Sequence, residues 1–216
     1  MFDFGNANDG QRKAIAAADG PVLITAGPGT GKTYTLVQRA IYLIEECNVR
    51  PESIFIATFT EKAAKELVTR ITNELANRNI TANSNEMYIG TFHSLCLRML
   101  KEHLEYTRLR RNYRLMDSFD QQYMVFQNIH RFRSIPEIEI VLPNGGAWKQ
   151  AETICNFVNN LSEELVSPEE LMSDHDPSIA SLGRMLQEYR TILTEANLMD
   201  FSSIQIEAYR LLCDNE

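Results

Sequence analysis

The residues with the clearest chemical signature form a glycine-rich stretch near the N-terminus, AGPGTGKT, which spans Ala26–Thr33. Glycine lacks a Cβ, so a backbone rich in it can curl and turn several N–H groups toward one anion. A lysine at the end of such a loop can reach the β- and γ-phosphates of a nucleotide, and the next hydroxyl can ligate Mg²⁺. Lys32 and Thr33 occupy those two positions. The stretch therefore predicts a nucleoside triphosphate site.

The residues on either side of this loop favour the same interpretation. A short apolar run, Val22–Ile24, precedes the loop and predicts a strand, and apolar residues at helical spacing begin after it at Leu36. The N-terminus of the following helix would offer its partial positive charge to the same anion. A glycine-rich turn without a ligand is disfavoured, because strand, loop and helix signals coincide. The expected nucleotide contacts in the loop are Ala26, Gly27, Pro28, Gly29, Thr30, Gly31, Lys32 and Thr33.

Strand and helix signals continue to alternate over the first hundred residues. An apolar strand is predicted at Ser53–Thr58, followed by a helix over Glu61–Ala76 that Thr60 caps. A third strand is predicted at Met87–Thr91, and Thr91 caps the next helix. This alternation predicts an α/β fold with a parallel sheet flanked by helices.

Helical signals dominate after about residue 104. One helix is predicted from a cap at Ser118 to about Phe132, and another spans about Trp148–Leu161. Ser167 and Pro168 open a short helix, and Asp176-Pro177 opens a longer one. The pattern predicts a mostly helical unit inserted into the α/β domain.

Composition indicates a soluble globular protein of 216 residues, with 44% hydrophobic and 23% charged residues. The four cysteines are far apart and form no CxxC pair, which favours reduced thiols in a cytoplasmic protein over zinc or disulfides. No apolar run approaches the roughly 20 residues needed to cross a membrane. The polar, acidic N-terminus is not a secretory signal.

Charge is distributed unevenly along the chain, whose net charge is −8. Residues 137–195 hold eleven acids and three bases, which makes the helical unit a candidate surface for a protein partner. Residues 98–114 instead carry six basic residues and two acids. A solvated helix face is the commoner explanation for such a run, so overall acidity does not decide whether the chain binds nucleic acid.

Four motifs, in this order and at this spacing, resemble the UvrD/Rep group of superfamily 1 DNA helicases. Besides the phosphate loop they are Asn8–Arg12, Ala57–Ala64 and Gly90–Cys96, which resemble the family's Q motif, motif Ia and TFHS segment. Met199–Ser203 resembles the point where the family's chain returns from its inserted subdomain. The resemblance implies a RecA-like P-loop NTPase domain in two parts, residues 1–103 and 197–216, with a helical subdomain at 104–196.

The resemblance also implies how the base of the nucleotide is bound. Gln11 would contact adenine through its amide, which offers one donor and one acceptor to N6 and N7. From the residues alone, Gln11 fits a capping box with Asn8 equally well. Many relatives have an arginine where this chain has Tyr34. The tyrosine ring is expected either to stack on adenine or to belong to the core.

The motif Ia and TFHS segments imply a DNA-binding surface. By resemblance Phe59 would stack on a base of single-stranded DNA, and its alternative is a buried aromatic at the end of a strand. His93 would contact the DNA backbone or relay between the DNA and nucleotide sites, and its alternative is a packed or solvent-facing histidine. Four hydroxyls are further candidates for phosphate contacts: Thr58, Thr60, Thr91 and Ser94.

The activity implied by the resemblance is ATP- and Mg²⁺-dependent DNA unwinding or translocation in the 3′-to-5′ direction, on single strands and duplex junctions, as in DNA repair. The family's strand ending in paired acids, the Walker B strand, is not found before Glu216, nor is a second RecA-like domain. We therefore expect an N-terminal fragment that depends on the remainder of its own chain and is inactive alone. Two other functions remain open: a small-molecule kinase with a helical lid, and a non-catalytic nucleotide-gated binding module.

Overall fold

A computed structural model describes residues 2–214 of the chain. These residues form two compact units, Met1–Leu95 and Cys96–Glu216, which are called unit 1 and unit 2. Both contain helices and a small parallel sheet, so the fold is mixed α/β, as predicted. Within residues 2–214, no helix is both long and apolar enough to cross a bilayer.

Unit 1 contains two parallel strands and the helices that follow them. Its elements are α1 (Asp9–Ala16), α2 (Lys32–Glu45), β1 (Phe55–Thr58), α3 (Glu61–Asn77), β2 (Tyr88–Thr91) and the start of α4 (Phe92–Glu102). The predicted caps are confirmed, since the Asn8 and Thr60 side chains accept hydrogen bonds from Gln11 N and Ala63 N. The two strands are in register from Phe55 opposite Tyr88 to Thr58 opposite Thr91.

The strand predicted at Val22–Ile24 is wrong. Residues 21–27 adopt no regular secondary structure, and the Leu23 side chain is 92% exposed. A buried parallel strand needs partners along its edges. In the described part of the chain β1 and β2 pair only with each other, so nothing pairs with this run.

The core of unit 1 lies where α2 and α3 cover the sheet. Each helix buries one apolar stripe, as its sequence spacing predicts. Ile41 of α2 and Ile71 of α3 are fully buried, as is Ile15 of α1, and Met87 is nearly so. This packing holds α1 and the beginning of α2 in fixed positions beside the phosphate loop.

Unit 2 is mostly helical, with one very short sheet. Besides the end of α4 it contains β3 (Arg114–Leu115), α5 (Ser118–Gln127), α6 (Ile129–Arg133), α7 (Ala147–Glu163), α8 (Pro168–Met172), α9 (Pro177–Ala196), β4 (Leu198–Met199) and α10 (Phe201–Asp214). The parallel pair β3–β4 was not predicted, because two residues per strand leave no periodic signal.

Two details of the predicted helix at Ser118–Phe132 are wrong. Its cap is Asp117, whose carboxylate accepts a hydrogen bond from Asp120 N at 2.8 Å, so that Ser118 is already helical. The helix is also interrupted at Asn128, where α5 ends and α6 begins. The Asn128 side-chain amide donates to the Met124 carbonyl at 2.9 Å, and such a side chain competes with the regular backbone ladder.

The boundary between the units falls inside α4, and the C-terminal helix belongs to unit 2. Met199 and Ile204 pack with Cys96 and Leu100 in one apolar cluster. The return of residues 197–216 to the first domain stays a prediction. Its last two residues lie outside the described part of the chain.

Candidate nucleotide and nucleic-acid site

The glycine-rich loop forms a tight turn at the start of α2. Gly29 and Gly31 have φ angles of 75° and 81°, in the left-handed region that residues with a Cβ rarely adopt. The Thr30 hydroxyl donates to the Gly27 carbonyl at 2.8 Å and closes the turn. The loop residues are mostly exposed, so the backbone faces open solvent where a phosphate can approach.

The first turn of α2 presents the groups that an anion requires. The helix begins at Lys32, and its N-cap, Gly31, has no side chain to occupy the free N–H groups. The Lys32 ammonium donates to the carbonyl oxygens of Ala26 at 3.1 Å and Gly27 at 3.0 Å. An ammonium has three N–H donors, so one remains for a phosphate oxygen while the other two hold the side chain across the loop.

Thr33 is suited to bind Mg²⁺. It lies one residue inside α2 and is exposed, and its hydroxyl makes no hydrogen bond within residues 2–214. A hydroxyl oxygen beside a phosphate site is the type of hard ligand that Mg²⁺ takes. Thr33 can therefore supply one oxygen ligand of the kind that Mg²⁺ takes.

Gln11 forms the capping box that its sequence position allowed and also contacts the phosphate loop. Its Oε1 accepts from Asn8 N at 2.9 Å, while Asn8 Oδ1 accepts from Gln11 N at 2.9 Å, which completes the capping box. Its Nε2 donates to the Thr30 carbonyl at 3.1 Å, so the side chain also contacts the phosphate loop. One N–H and one lone pair of the amide remain, and contact with adenine stays a prediction.

The position of Gln11 depends on how α1 packs against α2. Arg39 of α2 donates from Nη1 to the Ala14 carbonyl at 2.7 Å and so binds the last turn of α1. A Cβ at Gly31 would lie 2.8 Å from Gln11 Nε2, so a larger residue there would displace the end of the Gln11 side chain. The role of Arg39 could not be predicted from the sequence, because a single arginine on a helix gives no signal.

The Tyr34 side chain is fixed by a hydrogen bond and by packing within unit 1. Its hydroxyl donates to the Phe4 carbonyl at 3.0 Å, and its ring is half-buried beside the core. These contacts account for an aromatic residue at this position without a nucleotide. Stacking on adenine stays a prediction.

Phe59 lies directly after β1 and is fully exposed, at 103% of its reference area. The alternative of a buried strand-end aromatic is therefore wrong. Exposing a whole phenyl ring to water is unfavourable by about 1.5–3 kcal/mol relative to burying it. A ring held in this way at the carboxyl end of a parallel strand is available to stack on a ligand.

A second exposed aromatic, which sequence analysis missed, lies at the end of the neighbouring strand. Phe92 directly follows β2 and is 53% exposed. Because Thr58 and Thr91 are opposite each other in the sheet, Phe59 and Phe92 leave it at the same level. The signal in the sequence is the Thr-Phe pair that ends both strands.

The four candidate hydroxyls differ in what they can still donate. Thr58 donates to the Thr60 carbonyl at 3.0 Å, Ser94 to the Thr91 carbonyl at 2.9 Å, and Thr91 to Glu61 Oε1 at 2.9 Å. Thr60 Oγ1 instead accepts from Ala63 N at 3.2 Å, and within residues 2–214 its proton has no acceptor. Thr60 is therefore best placed to donate to a phosphate.

His93 lies in the first turn of α4, one residue after Phe92, and is half-buried. His93 therefore lies near the same edge of the sheet as the two exposed phenylalanines. Contact with the DNA backbone, or a relay between the two sites, stays a prediction.

Several known proteins are similar in sequence to this chain over most of its length. The UvrD/REP helicase N-terminal domain matches residues 7–216. DNA helicase II of Haemophilus influenzae is 34% identical over 94% of this chain and 26% of the relative. ATP-dependent DNA helicase SRS2 of Saccharomyces cerevisiae is 32% identical over 88% of this chain and 17% of the relative. ATP-dependent DNA helicase Rep of Buchnera aphidicola is 31% identical over 97% of this chain and 29% of the relative.

The chain thus spans less than a third of the length of these relatives. The matched range includes the phosphate loop, both strand ends and the helices of unit 2. The chain belongs to the UvrD/REP helicase N-terminal domain family.

Proposed function

We propose that this chain is the ATP- and single-stranded-DNA-binding N-terminal part of an ATP-dependent DNA helicase that moves 3′ to 5′, with a RecA-like arrangement of unit 1. The observation that carries the proposal is the fully exposed ring of Phe59 at the end of β1, in the same compact unit as the phosphate loop. Family membership supports it, because the relatives are named DNA helicases.

In this proposal the loop and the start of α2 bind the triphosphate. The N–H groups around Gly29 and Gly31 and the Lys32 ammonium surround the β- and γ-phosphates. The Thr33 hydroxyl holds Mg²⁺, which neutralises charge on those oxygens. Gln11 contacts adenine and, through Thr30, senses the conformation of the loop.

The same proposal places single-stranded DNA at the carboxyl ends of β1 and β2. Phe59 and Phe92 stack on bases, which tolerates any sequence because every base has a π-face. Thr60 donates to a backbone phosphate, and His93 contacts the backbone or relays to the nucleotide site. In the whole protein a second RecA-like domain would close on the nucleotide, and cycles of closure and opening would grip and release the strand.

The proposal is tested by comparing Phe59→Ala with Phe119→Ala, a matched control on α5 whose ring is 64% exposed. Binding of a fluorescent single-stranded oligonucleotide is measured by anisotropy at fixed salt. Phe59→Ala should weaken binding by about 1–3 kcal/mol, the usual contribution of one stacked base. Phe119→Ala should leave the affinity unchanged.

Equal affinities for the two variants would contradict the proposed strand site. Because the Phe59 ring is fully exposed, its removal should not lower the free energy of unfolding, and a urea titration checks this. A destabilised variant with unaltered DNA affinity would assign the ring to packing instead.

A further inference from the structure

The basic run at residues 98–114 is only partly explained as a solvated helix face. Arg98 Nε pairs with Glu102 at 2.7 Å within α4, and Arg114 Nη2 pairs with Asp120 at 2.9 Å. These two arginines are satisfied by neighbours in sequence. The other four basic residues make no ion pair within residues 2–214: Lys101, Arg108, Arg110 and Arg111.

The unpaired arginines lie on a turn with a fixed backbone. Thr107 Oγ1 donates to the Leu104 carbonyl at 2.8 Å and accepts from Leu109 N at 3.2 Å. Leu109 packs against the apolar cluster of α4 and α10. The residues on either side of it, Arg108 and Arg110, are exposed and line one cavity of about 620 Å³.

Two more arginines line the same cavity, Arg190 of α9 and Arg210 of α10. Arg190 is half-buried, and its guanidinium donates to the Val166 carbonyl at 3.4 Å. Burial and the nearby charge of Arg210 lower the pKa of Arg190, although the charges of Glu169 and Glu207 act in the opposite direction. A half-buried cation beside a second cation is stabilised when an anion enters.

Each of the carboxylates that line the same cavity has a hydrogen-bond or ion-pair partner, and Glu169 also lies in the electrostatic field of Arg190 and Arg210. Glu195 pairs with Arg131 at 2.7 Å, and Glu207 pairs with Arg210 at 2.7 Å. Glu169 accepts a hydrogen bond from Ser167 Oγ at 2.7 Å. Among the described residues, none of these three carboxylates lies within 4 Å of Arg108, Arg110 or Arg190.

We propose that this cavity binds backbone phosphates of a nucleic-acid strand, as a contact in unit 2 separate from Phe59. Planar guanidinium groups match phosphate oxygens in pairs, which suits the ligand. A second cavity of about 980 Å³ shares Arg110 with the first, and its other charged lining residues are Lys101, Arg111 and Glu105. Cations in two adjoining cavities fit successive phosphates of a polymer better than one free phosphate. The inference rests on the proposed DNA-binding function and extends it.

The test uses the 216-residue chain and two probes, a single-stranded oligonucleotide and an abasic strand of equal length that has phosphates but no bases. Arg108→Gln/Arg110→Gln is compared with Arg70→Gln/Arg133→Gln, which removes two exposed arginines outside both cavities. Affinity is measured over a salt series. Removing one arginine that binds a phosphate should reduce the slope of log K against log salt by about 0.7, so the slope of the cavity variant should fall by about 1.4 on either probe.

Phe59→Ala separates the two sites, since it should weaken binding of the normal strand but not of the abasic one. A second variant, Arg111→Gln, should reduce the slope of log K against log salt by about 0.7. This single variant tests the inference independently if the double variant does not fold. Equal slopes for the cavity and control variants, with Phe59→Ala still impaired, would overturn the inference and leave the proposed function intact. Failure of the unaltered chain to bind either strand would overturn both.

The source of the phosphate is decided by competition. Inorganic phosphate and ATP are added at concentrations equal in phosphate to the abasic strand. If the ligand is a nucleic-acid backbone, neither should displace the strand. Displacement that the Arg108→Gln/Arg110→Gln variant abolishes would show a site for free phosphate or nucleotide and overturn the assignment to a strand.

Discussion

At the scale of single residues, exposure decides between roles that the sequence left open. Phe59 and Phe92 are exposed although both are large and apolar, and both leave the sheet at the same level. Sequence could predict Phe59 from its motif but not its exposure, because a strand-end aromatic is buried in most proteins. Phe92 was missed because the Thr-Phe pair that it shares with Phe59 indicates its position but not its exposure.

A prediction at this scale concerns Phe92. If it stacks on a base next to the one bound by Phe59, Phe92→Ala should weaken single-stranded DNA binding by about 1–3 kcal/mol. The two losses should add in the double variant, because each ring would contact its own base. Anisotropy titrations of both single variants and the double variant provide the measurement. Unaltered DNA affinity together with a lower unfolding free energy would instead make Phe92 a packing residue.

At the scale of elements, sequence predicted most helices but not what connects them. Helix periodicity and caps placed both ends of α3 and α7, and the starts of α8 and α9, within a few residues. The Val22–Ile24 strand failed because strand formation depends on partners elsewhere in the chain, which a local pattern does not contain. The polar contacts that join α5, α9 and α10 could not be predicted for the same reason.

Those contacts centre on Asp200, a carboxylate that is only 3% exposed and is bound by neutral donors. Its Oδ1 accepts from Ser203 N at 2.7 Å at the start of α10, and its Oδ2 accepts from Tyr189 Oη and from Gln121 Nε2. Burial and the charge of Asp200 keep the pKa of Tyr189 well above its ordinary value, so its hydroxyl stays protonated and donates. The network fixes the packing of three helices around one buried charge.

Tyr189→Phe should therefore destabilise unit 2. It removes one donor from a buried carboxylate, and leaving such a group undersatisfied costs about 1–3 kcal/mol. Tyr123→Phe on α5 is the matched control, because its ring is 45% exposed and water replaces its hydroxyl contacts. Urea unfolding followed by circular dichroism gives both values. Equal stability of the two variants would mean that the network contributes little.

At the scale of the whole molecule, the candidate binding sites are distributed over two compact units. Unit 1 carries the phosphate loop and the exposed strand ends, and unit 2 carries the cavities lined by arginines. Net charge gave no guide to this division, because the acidic residues at 137–195 mask the unpaired cations nearby. The family and its phosphate loop could be predicted because four short motifs occur in order. The arginine cavity could not, since its residues come from three separate segments.

Binding of the phosphates of ATP by the loop that ends at Lys32 can be tested in a single titration. Equilibrium binding of a fluorescent ATP analogue with Mg²⁺ is compared for the unaltered chain, Lys32→Ala and the control Lys149→Ala, an exposed lysine of unit 2. Lys32→Ala removes a charge-assisted contact and should weaken binding by about 1.5–3 kcal/mol, while the control should bind as the unaltered chain does. Unchanged affinity in a folded Lys32→Ala variant would show that this loop does not bind the phosphates of ATP.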